Sequence, residues 1–286
     1  MLSIASDIVK RADSIAKKGS VKDVLNVLRA LTLSDFGNLM WVLPVEEFQN
    51  ISKMLPKMAD VEVQNSWTGT NGFQLLVQTC DFIKSLAFNY QKITGTGLNG
   101  GAVLDYGCGY GRMLRLLYYF TDPDKLWGVD PWDESIRICR SDRLAGNFAV
   151  SDYLPTSLPV GECMFDAIYA FSVFTHTSER ATKAALKTLR RYISPAGLCA
   201  ITIRPKEYWA LDPRYQDSLA LREEVHEAIG FSFSPHPRAP IDGDLTYGDT
   251  SMTFQWLDEN VLEWKIAGHD RSLNDPGQIV VFLRPR

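Results

Sequence analysis

A carboxylate followed by three alternating glycines is the group of residues in this chain best suited to hold a ligand. Asp105 stands two residues before Gly107, and Gly109 and Gly111 follow at the same spacing. Glycines at such a turn permit backbone angles barred to other residues and let main-chain N–H groups approach a ligand. The carboxylate suits an ammonium and repels a phosphate. The pattern therefore predicts a nucleotide-like ligand with a positively charged group.

The glycine spacing differs from that of the dinucleotide-binding turn. In the dinucleotide pattern G-x-G-x-x-G, the third glycine falls three residues after the second and the turn cradles a pyrophosphate. Here the glycines alternate and Arg112 follows them. A cation in the first turn of a helix is unfavourable for the helix dipole. We therefore expect Arg112 to pair with Asp105 or a neighbouring acid, or to help bind an acidic acceptor.

The elements that position these residues are short apolar strands and amphipathic helices. Ala102–Leu104 is an apolar strand segment, and the apolar residues from Met113 to Phe120 recur at helical spacing, so the glycines fall in a strand-to-helix turn. Downstream, a helix is predicted from about Glu179 to Tyr192. The further predicted strands are Leu126–Asp130, Asn147–Ser151, Phe165–Ser172 and Leu198–Pro205.

Asp130 ends the second predicted strand, roughly 20 residues beyond the glycines, where α/β folds of this kind bind ribose hydroxyls. It is the expected ribose ligand. The alternative is a helix N-cap, because Pro131 follows it and Asp133 and Glu134 are typical of a first helical turn. Both roles need the acid at the carboxyl end of the strand.

The stretch from Asp105 to Gly111 resembles motif I of the class I S-adenosylmethionine-dependent methyltransferases, [DE]-x-G-x-G-x-G. The resemblance covers residues 98–205 well and residues 245–286 loosely. It implies S-adenosylmethionine as cofactor, with Asp105 reaching toward the methionine amino group and Asp152 accepting from the adenine amino group, unless Asp152 is merely an exposed loop residue. The cofactor-binding residues that it implies are Asp105, Tyr106, Gly107, Gly109, Gly111, Asp130, Pro131, Trp132, Asp152, Tyr153 and Phe171.

The segment that begins with Phe165–Ser172 resembles motif IV of the same family. In the family, the end of this strand lies near the transferring methyl, and a histidine often follows at the position of His176. His176 is the candidate general base for a hydroxyl acceptor, and a structural histidine that holds the loop is the alternative. The motif IV variant Asn-Pro-Pro-Tyr, typical of planar-nitrogen acceptors, is absent, since residues 170–173 read Ala-Phe-Ser-Val.

The resemblance implies an α/β fold with a doubly wound, mostly parallel seven-stranded sheet, in which Gln278–Arg284 is the inserted antiparallel strand. We expect residues 66–286 to form the methyltransferase domain, with 205–245 as an acceptor-binding insertion. Residues 1–65 match nothing specific and are expected to form a helical accessory segment. Its predicted helices are Ser3–Lys17, Val21–Leu31 and Val45–Lys57, with breaks at Gly19-Ser20 and Gly37-Asn38.

The acceptor-binding residues carry weaker signals. The segment Val63–Gly72 interrupts the helical pattern ahead of a predicted helix from Phe73 to about Thr94, and Trp67 within it is expected either to help close the methionine end or acceptor pocket or to anchor the core. In the insertion, Tyr208, Trp209 and His236 are candidate acceptor contacts. Aromatic residues more often pack into a core, and a histidine between prolines more often lies in a surface loop.

Composition narrows the function classes. A net charge of −4 argues against a broad nucleic-acid footprint, and no apolar run approaches the roughly 18 residues that span a bilayer. The five cysteines form no C-x-x-C pair and have no histidine at metal-ligand spacing, so we expect reduced thiols, no metal and a cytoplasmic setting. The predicted function is methyl transfer (EC 2.1.1.-) to a small molecule at oxygen, against a non-catalytic binding protein or a nicotinamide oxidoreductase.

Overall fold

A computed structural model describes residues 3–286 of the chain. The helices are α1 Ser3–Ala16, α2 Val21–Leu28, α3 Leu33–Val42, α4 Gln49–Met54, α5 Val61–Thr68, α6 Gly72–Thr94, α7 Leu114–Leu117, α8 Asp133–Ser141, α9 Glu179–Leu189, α10 Tyr208–Leu211, α11 Leu219–Ile229 and α12 Phe254–Asn260. The strands are β1 Val103–Tyr106, β2 Leu126–Asp130, β3 Asn147–Val150, β4 Phe165–Ala170, β5 Ile193–Ile203, β6 Phe231–Pro235, β7 Gly248–Met252, β8 Trp264–Asp270 and β9 Ile279–Pro285.

Seven of the strands form one sheet in the order β3-β2-β1-β4-β5-β9-β8, and β6 and β7 form a separate hairpin. Strands β1, β2 and β3 pair in parallel, and so do β4 and β5. Strand β9 pairs antiparallel with both β5 and β8. The predicted α/β class, the mostly parallel seven-stranded sheet and the inserted antiparallel strand are thereby confirmed.

The chain divides into two compact units. The first unit comprises the chain through Ala87 together with Leu98–Val150, and the second comprises Phe88–Gly97 together with Ser151–Arg286. The predicted division between residues 65 and 66 stays a prediction. None of the helices between residues 3 and 286 is both long and apolar enough to cross a membrane.

In the first unit, two breaks expected from the sequence lie inside or beside helices. Gly37 stands within α3, where a Cβ would lie 3.1 Å from the Cys80 sulfur, so glycine there permits close packing and does not break the helix. The segment expected to be irregular from Val63 forms most of α5, which ends at Gly69 in the left-handed conformation with φ +74°. The predicted helix Val45–Lys57 is the shorter α4, preceded by a single 3₁₀ turn.

In the second unit, β4 and β5 form a buried apolar core. Strand β5 begins at Ile193 and not at the predicted Leu198, and Pro195-Ala196-Gly197 lies within it, where the pairing with β4 is irregular. Helix α9 begins after Ser178, whose hydroxyl accepts from the Ala181 N–H as an N-cap. The predicted insertion forms α10, α11 and β6, and β7 follows it.

Candidate functional site

The glycine turn of the first unit follows β1, and it requires glycine at each of the three positions. Gly107, Gly109 and Gly111 have φ angles of +77°, +53° and +70°, a region that L side chains rarely adopt. A Cβ on Gly111 would lie 2.1 Å from the Leu144 Cδ2 atom. Backbone geometry therefore favours glycine at all three positions, and packing excludes a Cβ at Gly111.

The N–H groups of the three glycines are used inside the first unit. Gly107 donates to the Val129 carbonyl at 2.8 Å, Gly109 to the Asp130 Oδ2 atom at 2.9 Å, and Gly111 to the Cys108 carbonyl at 2.9 Å. These N–H groups therefore have partners within the protein, and the binding of a ligand at the glycines stays a prediction. Because they are already bonded, they do not form the cradle that a pyrophosphate needs.

Asp130 holds the turn from the carboxyl end of β2. Its Oδ2 atom accepts from Gly109 and its Oδ1 atom from the Trp132 N–H, both at 2.9 Å. Burial raises the pKa of this carboxyl, and the two backbone hydrogen bonds work against that rise. The N-cap alternative is wrong, because Trp132 and not Asp130 occupies the N-cap position of α8. The Ser135 side chain also bonds to this carboxylate. Its two oxygens together offer about four lone pairs, so capacity to accept from a ribose hydroxyl remains.

Helix α5 brings Trp67 to the glycine turn. The Trp67 ring stacks on Trp132 with centroids 4.6 Å apart and an interplanar angle of 30°, and it lies 5.7 Å from the Tyr110 ring. A Cβ on Gly109 would meet the Trp67 ring at 3.8 Å. Of the residues predicted to bind ligands in this unit, Trp67, Gly109 and Trp132 thus lie together.

Asp105 and Arg112 are both buried in the first unit. The Arg112 Nη1 atom donates to Gln78 Oε1 at 2.7 Å and to Thr79 Oγ1 at 3.0 Å, both on α6. These neutral oxygens fix the orientation of the guanidinium. The predicted contact between Arg112 and an acidic acceptor stays a prediction.

The second unit carries a group of ionisable side chains around Asp249, which we call the Asp249 cluster: His176, Arg204, Tyr215, His236 and Asp249. The Asp249 carboxylate is fully buried, and it lies 2.6 Å from Arg204 Nη1, 2.6 Å from the Tyr215 hydroxyl and 2.8 Å from His236 Nε2. Burial acts to raise its pKa, but these hydrogen bonds, that of His176 and the Arg204 charge outweigh burial and lower it.

Three members of this cluster were not predicted from the sequence. Arg204, Tyr215 and Asp249 lie on β5 or its exit, after α10 and in β7, and no local motif joins them. His236, expected to lie in a surface loop more often than at a site, is a member. His176 and Arg204 follow β4 and β5, and the carboxyl ends of parallel strands are where α/β proteins bind ligands.

The hydrogen bonds of His176 define its tautomer. Its Nδ1 atom lies 2.8 Å from the Gly248 carbonyl, which only accepts, so Nδ1 carries the proton. Its Nε2 atom then accepts from Arg204 Nη2 at 3.1 Å. Burial, together with the Arg204 charge, lowers the pKa of His176, although Asp249 opposes this. The imidazole is therefore neutral at pH 7, and its one basic nitrogen is already engaged.

The loop after β4 contains a strained residue. Ser172 has a φ angle of +58°, which is uncommon for a residue with a side chain, and its N–H donates to the Thr202 hydroxyl at 2.7 Å. Strain of this kind costs on the order of 1–3 kcal/mol and is retained where the surroundings impose it, often at functional sites. No sequence signal distinguishes this serine.

Of the remaining predicted residues, Trp209 is a core residue and not an acceptor contact. Its side chain is completely buried, and its Nε1 atom donates to the Ser251 hydroxyl at 2.7 Å. Tyr208 is only partly buried and lies beneath the Arg204 guanidinium, 3.9 Å from the ring centroid. Asp152 is exposed, and Tyr153 and Phe171 are partly exposed.

The second unit also has an open groove with a volume of about 850 Å³. It lies between Ser178 and Lys183 at the start of α9 and the apolar side chains of Phe231, Phe233 and Leu245. Of the six predicted insertion residues that line it, three belong to β6 and three lie between β6 and β7. Among residues 3–286, no three His, Cys, Asp or Glu side chains stand close enough to hold a metal ion.

Known proteins are similar to this chain in sequence pattern and in fold. A family model described as a methyltransferase domain matches residues 103–197. The PH0226 protein of Pyrococcus horikoshii OT3 has a similar structure, with 16% identity, a TM-score of 0.52, and coverage of 79% of this chain and 97% of that one. A S-adenosylmethionine-dependent methyltransferase from Clostridium acetobutylicum ATCC 824 is 12% identical, with a TM-score of 0.50 and coverage of 78% and 96%. The structural likenesses show a shared fold.

Proposed function

We propose that this chain is a class I S-adenosylmethionine-dependent methyltransferase, and that it moves the methyl group of that cofactor to an oxygen of a small-molecule acceptor. The observation that carries the proposal is the hydrogen bonding of the glycine turn. Its glycine N–H groups are satisfied internally, which disfavours a pyrophosphate and with it the nicotinamide alternative. The nearby Asp105 and Asp130 carboxylates suit an ammonium and a ribose.

The residues of this chain divide the work of holding the cofactor. Asp105 is proposed to bind the methionine amino group and Asp130 the ribose hydroxyls. Bound S-adenosylmethionine supplies an electrophilic methyl on a sulfonium. The exposed Asp152 remains the proposed partner of the adenine amino group. Trp67, which packs on Trp132 beside the turn, is placed to cover a ligand bound there.

The bonding of His176 bears on the acceptor atom. In-line methyl transfer needs an acceptor lone pair held along the S–CH₃ bond, so positioning supplies much of the catalysis. A hydroxyl must also lose a proton, whereas a carboxylate does not. Because the Nε2 lone pair of His176 is engaged by Arg204, we propose that His176 orients Arg204 and that the acceptor oxygen belongs to a carboxylate. This proposal replaces the role of general base.

Calorimetry with S-adenosylhomocysteine and with NAD⁺ tests the proposed cofactor. We expect saturable binding of S-adenosylhomocysteine and none of NAD⁺. Release of S-adenosylhomocysteine, measured with matched carboxylic acids and alcohols as acceptors, then separates an enzyme from a binding protein. Binding of NAD⁺ alone would overturn the proposal, and turnover of alcohols but not acids would return His176 to the role of base.

A further inference from the structure

We propose that the acceptor carries an oxyanion group and that Arg238, stacked on Tyr247, binds it. The inference rests on the proposed methyltransferase function and names the class of its acceptor. Arg238 lies in the second unit, three residues after β6, and Tyr247 directly precedes β7. Nothing in the family resemblance points to either residue.

Arg238 ends a row of arginine and aromatic side chains, which we call the stacked row: Arg238, Tyr247, His176, Arg204 and Tyr208. The Arg238 guanidinium lies 3.9 Å from the centroid of the Tyr247 ring. The His176 ring is parallel to Tyr247 within 8°, with centroids 5.3 Å apart. Arg204 then joins His176 through a hydrogen bond of 3.1 Å and covers the Tyr208 ring at 3.9 Å.

The arginines of this region differ in what neutralises them. Arg204 is paired with Asp249 at 2.6 Å, and Arg214 is paired with Asp212 and, at 3.0 Å, with Asp249. Arg238 is exposed, and within residues 3–286 its guanidinium has a ring contact but neither an ion pair nor a hydrogen bond. Its charge and its N–H donors are therefore available to an external anion.

The backbone around Arg238 is restrained in a way that a freely moving surface arginine is not. Pro235, Pro237 and Pro240 surround it in sequence, and proline fixes the φ angle. His236 donates its N–H to the Tyr247 carbonyl at 3.0 Å and its Nε2 atom lies 2.8 Å from Asp249. These ties restrain the backbone next to Arg238, whose guanidinium carbon lies 3.9 Å from the Tyr247 ring centroid. A guanidinium can bind a carboxylate or a phosphate through two parallel hydrogen bonds.

Two members of the stacked row lie just beyond the carboxyl ends of parallel strands. His176 follows β4 and Arg204 follows β5, and the Gly248 N–H donates to the His176 carbonyl at 2.9 Å. Ligands of α/β sheets bind beyond these carboxyl ends. Arg238 lies in the segment that joins β6 to β7, and Gly248 at the end of that segment bonds to His176. An oxyanion bound to Arg238 would therefore be held by the segment that also bonds to His176.

Titration of the protein with sodium phosphate and with sodium acetate, at ionic strength held constant with chloride, tests this inference. The readout is the ¹H–¹⁵N signal of the arginine Nε–H groups together with the His176 ring signals. We expect a saturable shift of the Arg238 signal, and binding about tenfold weaker in Arg238→Gln than in the wild type, with Arg238→Lys between them. The two anions distinguish a carboxylate from a phosphate as the preferred group.

Arg191→Gln is the matched control, because Arg191 is also exposed and beside a tyrosine ring, 5.7 Å from the Tyr192 centroid. It should bind both anions as the wild type does. Equal affinity of Arg238→Gln and the wild type for both anions would overturn the inference. Calorimetry with S-adenosylhomocysteine on the same samples keeps the two proposals apart: its failure would remove the methyltransferase function, whereas failure of the anion titration alone would remove only the oxyanion site.

Discussion

Replacement of Gly111 by alanine should destabilise the protein for two reasons that can be separated. The first is conformational, since Gly111 has a φ angle of +70°. The second is steric, since the new Cβ would lie 2.1 Å from Leu144 Cδ2 and 3.3 Å from the Cys139 sulfur. Both neighbours are buried, so Leu144 can give way only by disturbing the packing around α8.

Gly69 provides the matched control, because it shares the first difficulty and lacks the second. Its φ angle is +74°, and a Cβ there would meet no atom within 4 Å. The left-handed conformation costs an alanine about 1–2 kcal/mol, and this cost applies to both variants. Overpacking a buried site costs about 1–3 kcal/mol more, and this cost applies to Gly111→Ala alone. We therefore expect losses of about 2–5 kcal/mol for Gly111→Ala and about 1–2 kcal/mol for Gly69→Ala.

Urea unfolding of the wild type and both variants, followed by circular dichroism at pH 7.5, measures the free energies of unfolding. The difference between the two variants is the quantity of interest, because it isolates the packing around the glycine turn. Equal losses in the two variants would show that the Cβ at position 111 is accommodated without strain, and the steric reasoning would then be refuted.

Three further predictions concern the two sites. Asp130→Asn keeps one acceptor oxygen for two buried N–H groups, so it should lower the free energy of unfolding by about 1–3 kcal/mol. Calorimetry should show S-adenosylhomocysteine binding at least about tenfold weaker. Replacement of the exposed Asp133 by Asn should change neither quantity. The free energy of unfolding should fall from pH 7.5 to 5.5, because the pKa of His176 is lowered in the folded chain and the unfolded chain therefore binds a proton more readily. His176→Gln should reduce this fall, since each unit of pKa difference is worth about 1.4 kcal/mol. An unchanged slope would contradict the lowered pKa of His176. Trp67→Ala should weaken S-adenosylhomocysteine binding and lower turnover, and wild-type values for both would exclude a covering role for the indole.

The difference in slope between the wild type and His176→Gln is specific to His176 within that interval. When folding lowers the pKa of a group, the free energy of unfolding falls as the pH drops through the pKa of that group in the unfolded chain, which is about 6.5 for histidine. Asp249 has a lowered pKa as well, but a carboxylate is ionised in both folded and unfolded chains above pH 5.5. Burial also lowers the pKa of His226, and that contribution is the same in the wild type and in His176→Gln.

The sequence by itself determined the parts of this protein that are encoded locally. The strand, the three glycines and the following helix occupy adjacent positions from Val103 to Leu117, so their apolar pattern and the need for left-handed backbone can be identified from a short stretch of chain. Asp130 was predicted for the same reason, because the distance from one strand end to the next is set by a single intervening helix. The inserted antiparallel strand came from the family resemblance, and the pairing of β9 confirms it.

Only the tertiary structure decided which side chains meet. Val63–Gly72 was predicted to be irregular because its polar residues show no apolar period, yet packing against the glycine turn supports α5 and brings Trp67 to Trp132. The Asp249 cluster joins an aspartate, an arginine, a tyrosine and two histidines from separate elements, and each is a common residue without a local pattern. The hydrogen bond between His176 and Arg204 and the contact of Arg238 with Tyr247 likewise depend on the packing of the β6–β7 hairpin against the ends of β4 and β5. Contacts between residues far apart in the chain arise from the free energy of packing the whole unit, and no single segment encodes them.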